Sequence, residues 1–233
     1  MENKDKIILD LCGGTGSWSK PYQEAGYNVK TITLPDYDVT DYIVTDWSNM
    51  GWNFKTISFR NQKTNEFNPI RIDYIYGILA APPCTEFSVL NAIAAPRERN
   101  PQDGMIIVNA CKAIIEKCNP TFWAMENPTG FLRQYIGKPK FTFQPWEFGD
   151  AWTKKTDIWG SFNIPIKQFI KWDDVPKLPI YIRPNRGKPS IAYLHKSSQN
   201  LIPQLQGFKC NTDADFRAIT PPSFAKAFYE ANQ

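Results

Sequence analysis

Ile7-Ile8-Leu9-Asp10-Leu11-Cys12-Gly13-Gly14-Thr15-Gly16 is the stretch that decides the fold. A short apolar run ends directly in a glycine-rich turn. Ser17–Ala25 then has helical character, Gly26 stops it, and Tyr27–Leu34 reads as a second strand. Strand, glycine turn, helix and strand form the opening of a parallel α/β sheet. Glycines at such a turn let the backbone approach a ligand, and the helix N-terminus behind it offers free N–H groups. The pattern differs from the GxGxxG dinucleotide fingerprint. After the second strand, Pro35-Asp36-Tyr37-Asp38-Val39 puts acids where a ribose or adenine edge would lie. Many α/β proteins carry tight glycine turns without a cofactor, so the turn alone does not assign one.

Further along, Ile72–Ala81 is a long apolar and aromatic run that predicts a buried parallel strand ended by Pro82-Pro83-Cys84. Thr85–Gly104 is polar and long for a connection, which marks it as functional or mobile. Met105–Cys118 has helical apolar spacing, and Asn119-Pro120 closes it. Thr121–Met125 is another buried strand, ending at Glu126-Asn127-Pro128. Phe141–Phe148 and Asp157–Phe162 read as further strands, and residues 41–70 show no clear pattern. Pro165–Gly207 is proline-rich, with strand-like pieces at Ile180–Ile182 and Ile191–Leu194. Thr220 is read as the N-cap of a helix that starts at Pro221-Pro222 and runs to about Ala231.

With 233 residues, 42% hydrophobic and 21% charged, the chain can bury one sizeable core. No window approaches the roughly 18 apolar residues of a membrane span, and the N-terminus lacks a secretory pattern. These features predict a cytoplasmic protein with no membrane partner. The five cysteines (Cys12, Cys84, Cys111, Cys118, Cys210) lack zinc spacing, and the single histidine is far from any cysteine pair, so no metal is expected. Cys111 and Cys118 are spaced to share one apolar helix face. Net charge is +4, yet Thr153–Cys210 alone holds ten Lys/Arg against three acids, leaving the rest net acidic. That segment either faces a polyanion or is a solvated basic surface.

Ligands of open parallel sheets sit beyond the carboxyl ends of the strands. Gly13–Gly16, Cys84 and Glu126 all fall there. Two prolines would hold the Cys84 thiol in one direction, and a buried Glu126 beside substrate could stay protonated and donate a hydrogen bond. A buried structural cysteine and a plain Glu-Asn-Pro turn are the alternatives for either residue alone.

Together these pieces resemble the cytosine-C5 DNA methyltransferase family, especially its short phage and prophage members. Asp10-Leu-Cys-Gly-Gly-Thr-Gly-Ser-Trp18 resembles the family's S-adenosylmethionine loop. Ala81-Pro-Pro-Cys-Thr-Glu-Phe-Ser88 resembles its nucleophile motif, and Met125-Glu-Asn-Pro128 its Glu-Asn motif. Trp152-Thr-Lys-Lys-Thr156 falls where the family has a basic substrate-contacting strand. The resemblance covers most of residues 7–163 and the last helix.

It implies an S-adenosylmethionine-dependent, Rossmann-like, mostly parallel sheet with helices on both faces. Residues 1–163 would be the catalytic and cofactor domain, 164–215 a small basic recognition lobe, and 216–233 a helix packing back. It implies that a thiolate at Cys84, its pKa lowered by nearby cations, adds to cytosine C6 while Glu126 stabilises the ring, with Asn127, Lys154 and Thr156 completing the catalytic set. The cofactor, leaving as S-adenosylhomocysteine, would be held by Asp10, Cys12, Gly13, Gly14, Thr15, Gly16, Asp36, Asp38, Val39, Pro82 and Thr220. Cys12 stands where the family has an aromatic, so Trp18 is assigned the stacking face. Thr85–Gly104 would be a lid. Ser88, Arg97, Arg99 and Lys155 would contact substrate in double-stranded DNA, with the base flipped and the protein a monomer, in a bacterial or phage-infected cell. Two alternatives stay open: a pyrimidine C5-modifying relative acting on free nucleotides or transferring another group, and an inactive DNA- or cofactor-binding homologue.

Overall fold

In the computed structural model, which describes residues 1–89 and 99–233, β1 (Ile7–Leu11) lies inside a six-stranded sheet and is buried along its length. A parallel strand covered on both faces reads as a continuous apolar run rather than an alternating one. β2 (Asn28–Ile32) pairs parallel on one side of β1 and β6 (Ile75–Ala80) on the other. β7 (Phe122–Pro128) extends the parallel run beside β6. β9 (Thr156–Ser161) and β8 (Phe141–Phe143) finish the sheet antiparallel, giving the order β2-β1-β6-β7-β9-β8. The chain leaves β1 toward β2 and later returns on its other side as β6. That reversal of strand order opens a crevice at the carboxyl ends of β1 and β6.

Both faces are covered. On one, α1 (Lys20–Glu24) and the last helix, α5 (Pro222–Ala231), bury Trp18, Tyr22, Phe224 and Phe228 against Phe122 and Ile158. On the other, α2 (Pro101–Cys118) buries Val108, Cys111, Ile114 and Cys118. Pro101 starts α2 where an N–H would be unpaired anyway, and Asn119 ends it in the left-handed region at φ 43°. Residues 41–70, unreadable from periodicity, belong to a separate antiparallel sheet: β3 (Tyr37–Asp46), β4 (Lys55–Asn61) and β5 (Phe67–Arg71). Its Ile57 and Phe59 complete the core on the α2 side. The expected architecture of a mostly parallel, Rossmann-like α/β sheet with helices on both faces is the one observed.

Several expected elements differ. The helix read over Ser17–Ala25 is only α1. The strand read over Phe141–Phe148 stops at Phe143, and Pro145–Phe148 is a 3-10 turn, since Pro145 cannot donate to a ladder. Ile180–Ile182 and Ile191–Leu194 are not strands. Ile180, Ile191, Leu194, Ile202, Leu205 and Phe216 form a small third core with Trp152, built from 3-10 turns and α4 (Asp213–Ala218). Thr220 is not the cap of α5. Pro221 occupies that position, Thr220 N–H donates to Ser17 Oγ at 2.9 Å, and the cap comes from elsewhere in the chain. Buried Asp150 accepts from Ser223 N–H at 3.1 Å and Ser223 Oγ at 3.0 Å.

Candidate active site

The turn after β1 is shaped by its own acid. Asp10 is fully buried and accepts from Ser19 Oγ at 2.5 Å through Oδ2, while Oδ1 has no hydrogen-bond partner. Its carboxyl packs so closely under Gly13 that a Cβ there would fall 2.3 Å from it, so only glycine fits. Burial pushes the Asp10 carboxyl up to about 6, partly offset by the Ser19 hydrogen bond. Cys12 adopts φ 58° and packs toward the α2 core.

Gly14, Thr15 and Gly16 line an open cleft of about 470 Å³ together with Thr31, Thr33, Asp36, Tyr37, Gly207 and Phe208. Other residues assigned to a cofactor do not line it. Asp38 accepts from Thr40 N–H at 2.8 Å and Thr40 Oγ1 at 2.7 Å, as a local turn. Val39 is a core residue beside α2. Asp36, which does line the cleft, has its Oδ1 paired with Lys63 Nζ at 2.5 Å. Trp18 offers no stacking face: it is 2% exposed and packs on Phe228 at 5.4 Å and Phe224 at 6.2 Å. A large ring in the turn just before α1 gains more from that aromatic core than from solvent.

Cys84 and Glu126 do not line the cleft either; strand topology, not cavity size, locates them. Pro82-Pro83-Cys84 follows β6, and Glu126 and Asn127 end β7 beside it. The two strand ends are tied by Asn127, whose Nδ2 donates to the Pro82 carbonyl at 2.9 Å. Asn127 is fully buried, so this bond sets the height of the Cys84 turn relative to Glu126. After Cys84 the chain folds back: Phe87 N–H and Ser88 N–H both donate to the Cys84 carbonyl, at 3.0 and 2.8 Å. Gly130 lets the loop after β7 approach the Phe87 carbonyl, which a Cβ would meet at 2.2 Å.

The third group at this edge comes from the loop entering β9. Lys154 Nζ lies 3.5 Å from Glu126 Oε1 and 3.4 Å from the Ile219 carbonyl, with side-chain exposures of 9% and 8% for Lys154 and Glu126. The 3.5 Å contact is an ion pair without hydrogen-bond geometry, so Glu126 Oε1 keeps no hydrogen-bond partner. Thr156 is fully buried and donates to the Lys154 carbonyl at 2.8 Å. Its hydroxyl therefore positions Lys154 instead of reaching the site. Burial raises the Cys84 thiol above its ordinary pKa, Lys154 pulls it down, and Glu126 adds to the rise. The expected lowering is not observed, because burial outweighs a cation already shared with a carboxylate.

The substrate contacts expected after Cys84 are only partly open. Ser88 is buried, and its carbonyl accepts from Arg99 at 2.9 Å. The Arg99 guanidinium lies over Phe131 at 4.4 Å. These two residues hold each other across the base of the connection, so Ser88 is not placed for a phosphate. Arg97 lies outside the described residues, while Lys155 is exposed. Sequence reasoning missed Arg133 and Asp157: fully buried Asp157 accepts from Arg133 Nε and Nη2, both at 2.6 Å, and from Thr129 and Thr142. A lone Arg opening the short helix α3 (Arg133–Ile136) carries no motif that would have marked it. Among the described residues no group of three or more His, Cys, Asp or Glu could hold a metal, and no helix is long and apolar enough to cross a membrane.

A glycine turn after β1 at the strand-order switch, with Cys, Glu and Lys gathered at the neighbouring strand ends, defines a Rossmann-like α/β protein of the S-adenosylmethionine-dependent methyltransferase fold class. No protein-family model matches the chain. Among curated proteins it is similar to the type II methyltransferase M.DdeI of Desulfomicrobium norvegicum, at 26% identity over 141 residues. The match covers 55% of this chain and 31% of that protein, so the chain spans about a third of the relative's length.

Proposed function

We propose that the protein is a DNA cytosine-C5 methyltransferase that works through a covalent bond between Cys84 and the pyrimidine. The observation that carries this reading is the meeting of Cys84, Glu126 and Lys154 at the ends of β6, β7 and the loop entering β9, beside the glycine turn. The partial likeness to a type II methyltransferase supports it.

S-adenosylmethionine would fit the turn: the unpartnered Asp10 Oδ1 suits an ammonium group, and Gly14, where a Cβ would meet nothing within 4 Å, leaves room for close approach. When bound, it supplies an electrophilic methyl group on a sulfonium. Cys84 Sγ adds to C6 of the ring, which makes C5 electron-rich. Glu126 holds a proton toward N3 and stabilises the charge that develops there. Asn127 keeps the Cys84 turn and Glu126 in register. Loss of the C5 proton to solvent returns the electron pair to the ring and releases Sγ as a thiolate. Lys155 and the basic residues beyond it would meet phosphates, and the target base must leave the duplex to reach Sγ.

Tritiated S-adenosylmethionine with either duplex DNA or dCMP tests the proposal. Label on DNA supports it; label on dCMP alone favours the free-nucleotide reading. No label on either, with cofactor still bound, favours the inactive homologue. Cys84→Ala is expected to abolish transfer and leave cofactor affinity near that of the parent; retained transfer would overturn the covalent mechanism.

A further inference from the structure

Among the described residues, the resting site holds one cation, Lys154, and two groups that can use it. Among the described residues, Lys154 and Glu126 are the charged groups whose fields reach the Cys84 thiol, one from the loop entering β9 and one from β7. The Lys154 backbone is fixed: its N–H donates to Gln144 Oε1 at 3.1 Å and its carbonyl accepts from Thr156 Oγ1 at 2.8 Å. Its ammonium is held less firmly, by a carboxylate oxygen at 3.5 Å and a carbonyl at 3.4 Å. Glu126 is held to it by charge alone, since Oε1 has no hydrogen-bond partner. A lysine is a point charge on a flexible stem and can turn between partners, where an arginine would clamp one carboxylate with two parallel bonds.

We propose that Lys154 is a shared counter-ion, paired with the Glu126 carboxylate in the free protein and passed to the Cys84 sulfur when a substrate engages Glu126. The nucleophile then forms only in an occupied site. This rests on the reading of Cys84 and Glu126 as the reacting pair. In the free site the three groups are an ammonium, a carboxylate and a neutral thiol. A pyrimidine whose N3 needs a hydrogen-bond donor favours the carboxyl in its protonated form. The net change moves one proton from Cys84 Sγ to the Glu126 carboxyl. Sulfur keeps the bonding electron pair, and Lys154 remains an ammonium that now neutralises the thiolate. The trio is neutral before and after, so the buried site never carries an uncompensated charge. It also keeps a reactive thiolate from standing exposed to oxidants and electrophiles between turnovers.

The two neighbours should move the thiol in opposite directions. The experiment is iodoacetamide alkylation of the full chain from pH 6 to 10, without cofactor or DNA, read by mass spectrometry on the peptide that carries Cys84. Glu126→Gln leaves Lys154 to the sulfur, so the alkylation midpoint should fall by about one pH unit and the rate at pH 7 should rise several-fold. Lys154→Met should raise the midpoint by about one unit, and Lys154→Arg should bring it back toward the parent. Far-UV circular dichroism checks that each variant is folded. Shifts of the same sign in Glu126→Gln and Lys154→Met, as a merely structural pair would give by loosening the site, overturn the proposal. So does no shift in either. The label-transfer assay judges the reaction class independently, because alkylation requires neither cofactor nor substrate.

Discussion

Replacing Asp150 with asparagine should remove a pH-dependent weakness from the fold. Asp150 is fully buried between the third core and the start of α5, where it caps Ser223. Burial pushes its carboxyl from an ordinary 3.8 to about 7, with the Ser223 and Phe224 hydrogen bonds opposing the rise. Between these two values the folded chain keeps a proton that the unfolded chain has released. Stability from this group is therefore fully present below pH 3.8 and is lost as pH rises to about 7. Each pH unit inside the window is worth about 1.4 kcal/mol per group. From pH 5 to pH 8 the parent should lose about 2–3 kcal/mol through Asp150. Asparagine cannot ionise, so Asp150→Asn should lack this component, although it starts weaker at pH 5 because one of its two cap acceptors becomes a donor. Urea unfolding at pH 5, 6, 7 and 8 measures both proteins, and the quantity that matters is the change in their difference with pH. Parallel stability curves, differing by a constant within about 0.5 kcal/mol, would refute the reasoning.

Three further outcomes follow from named contacts. Arg133→Ala strips two charge-assisted bonds from fully buried Asp157 but leaves two threonine hydroxyls; with the arginine partly in solvent, the loss should be about 2–3 kcal/mol in urea unfolding, and a loss below about 0.5 kcal/mol would contradict the network's role. Asn127→Ala leaves the Pro82 carbonyl unpaired in a buried place. It should cost about 1–3 kcal/mol of stability and cut methyl transfer more than cofactor affinity, which single-turnover kinetics and calorimetry separate. If Lys155 and the basic residues that follow meet phosphates, DNA affinity should fall steeply with salt, as a titration from low to moderate salt would show; a flat response would remove that surface from the interface.

The strands at the centre of the sheet were readable because burial on both faces leaves a mostly apolar run without alternation, as in Ile7–Leu11 and Thr121–Met125. The sheet of β3, β4 and β5 was not. It has one face on the core and one in solvent, and its strands mix exposed and buried residues, as β3 shows. The third core failed as a strand prediction because its apolar residues meet through 3-10 turns, which share no period with a ladder. At the site, Cys84 and Glu126 were legible from residue type and place at strand ends, and Lys154 only through the resemblance of Trp152–Thr156 to a basic substrate-contacting strand. What sequence could not supply was the sharing of charge. Burial, which depends on tertiary packing, sets the upward sign of the Cys84 shift, and Lys154 opposes it while Glu126, 3.5 Å from that lysine, adds to it. Trp18 misled for a related reason: its neighbours Phe224 and Phe228 lie two hundred residues away and complete the core that takes it in.

The most direct test of the central claim is a trap. Duplex DNA carrying 5-fluorocytosine, incubated with the chain and S-adenosylmethionine, cannot lose a proton from C5, so the sulfur should stay bonded to C6. Peptide mass spectrometry should then find the pyrimidine on Cys84 alone, with nothing retained by Cys84→Ala. Recovery of unmodified Cys84 from a preparation that still methylates ordinary duplex DNA would contradict the account.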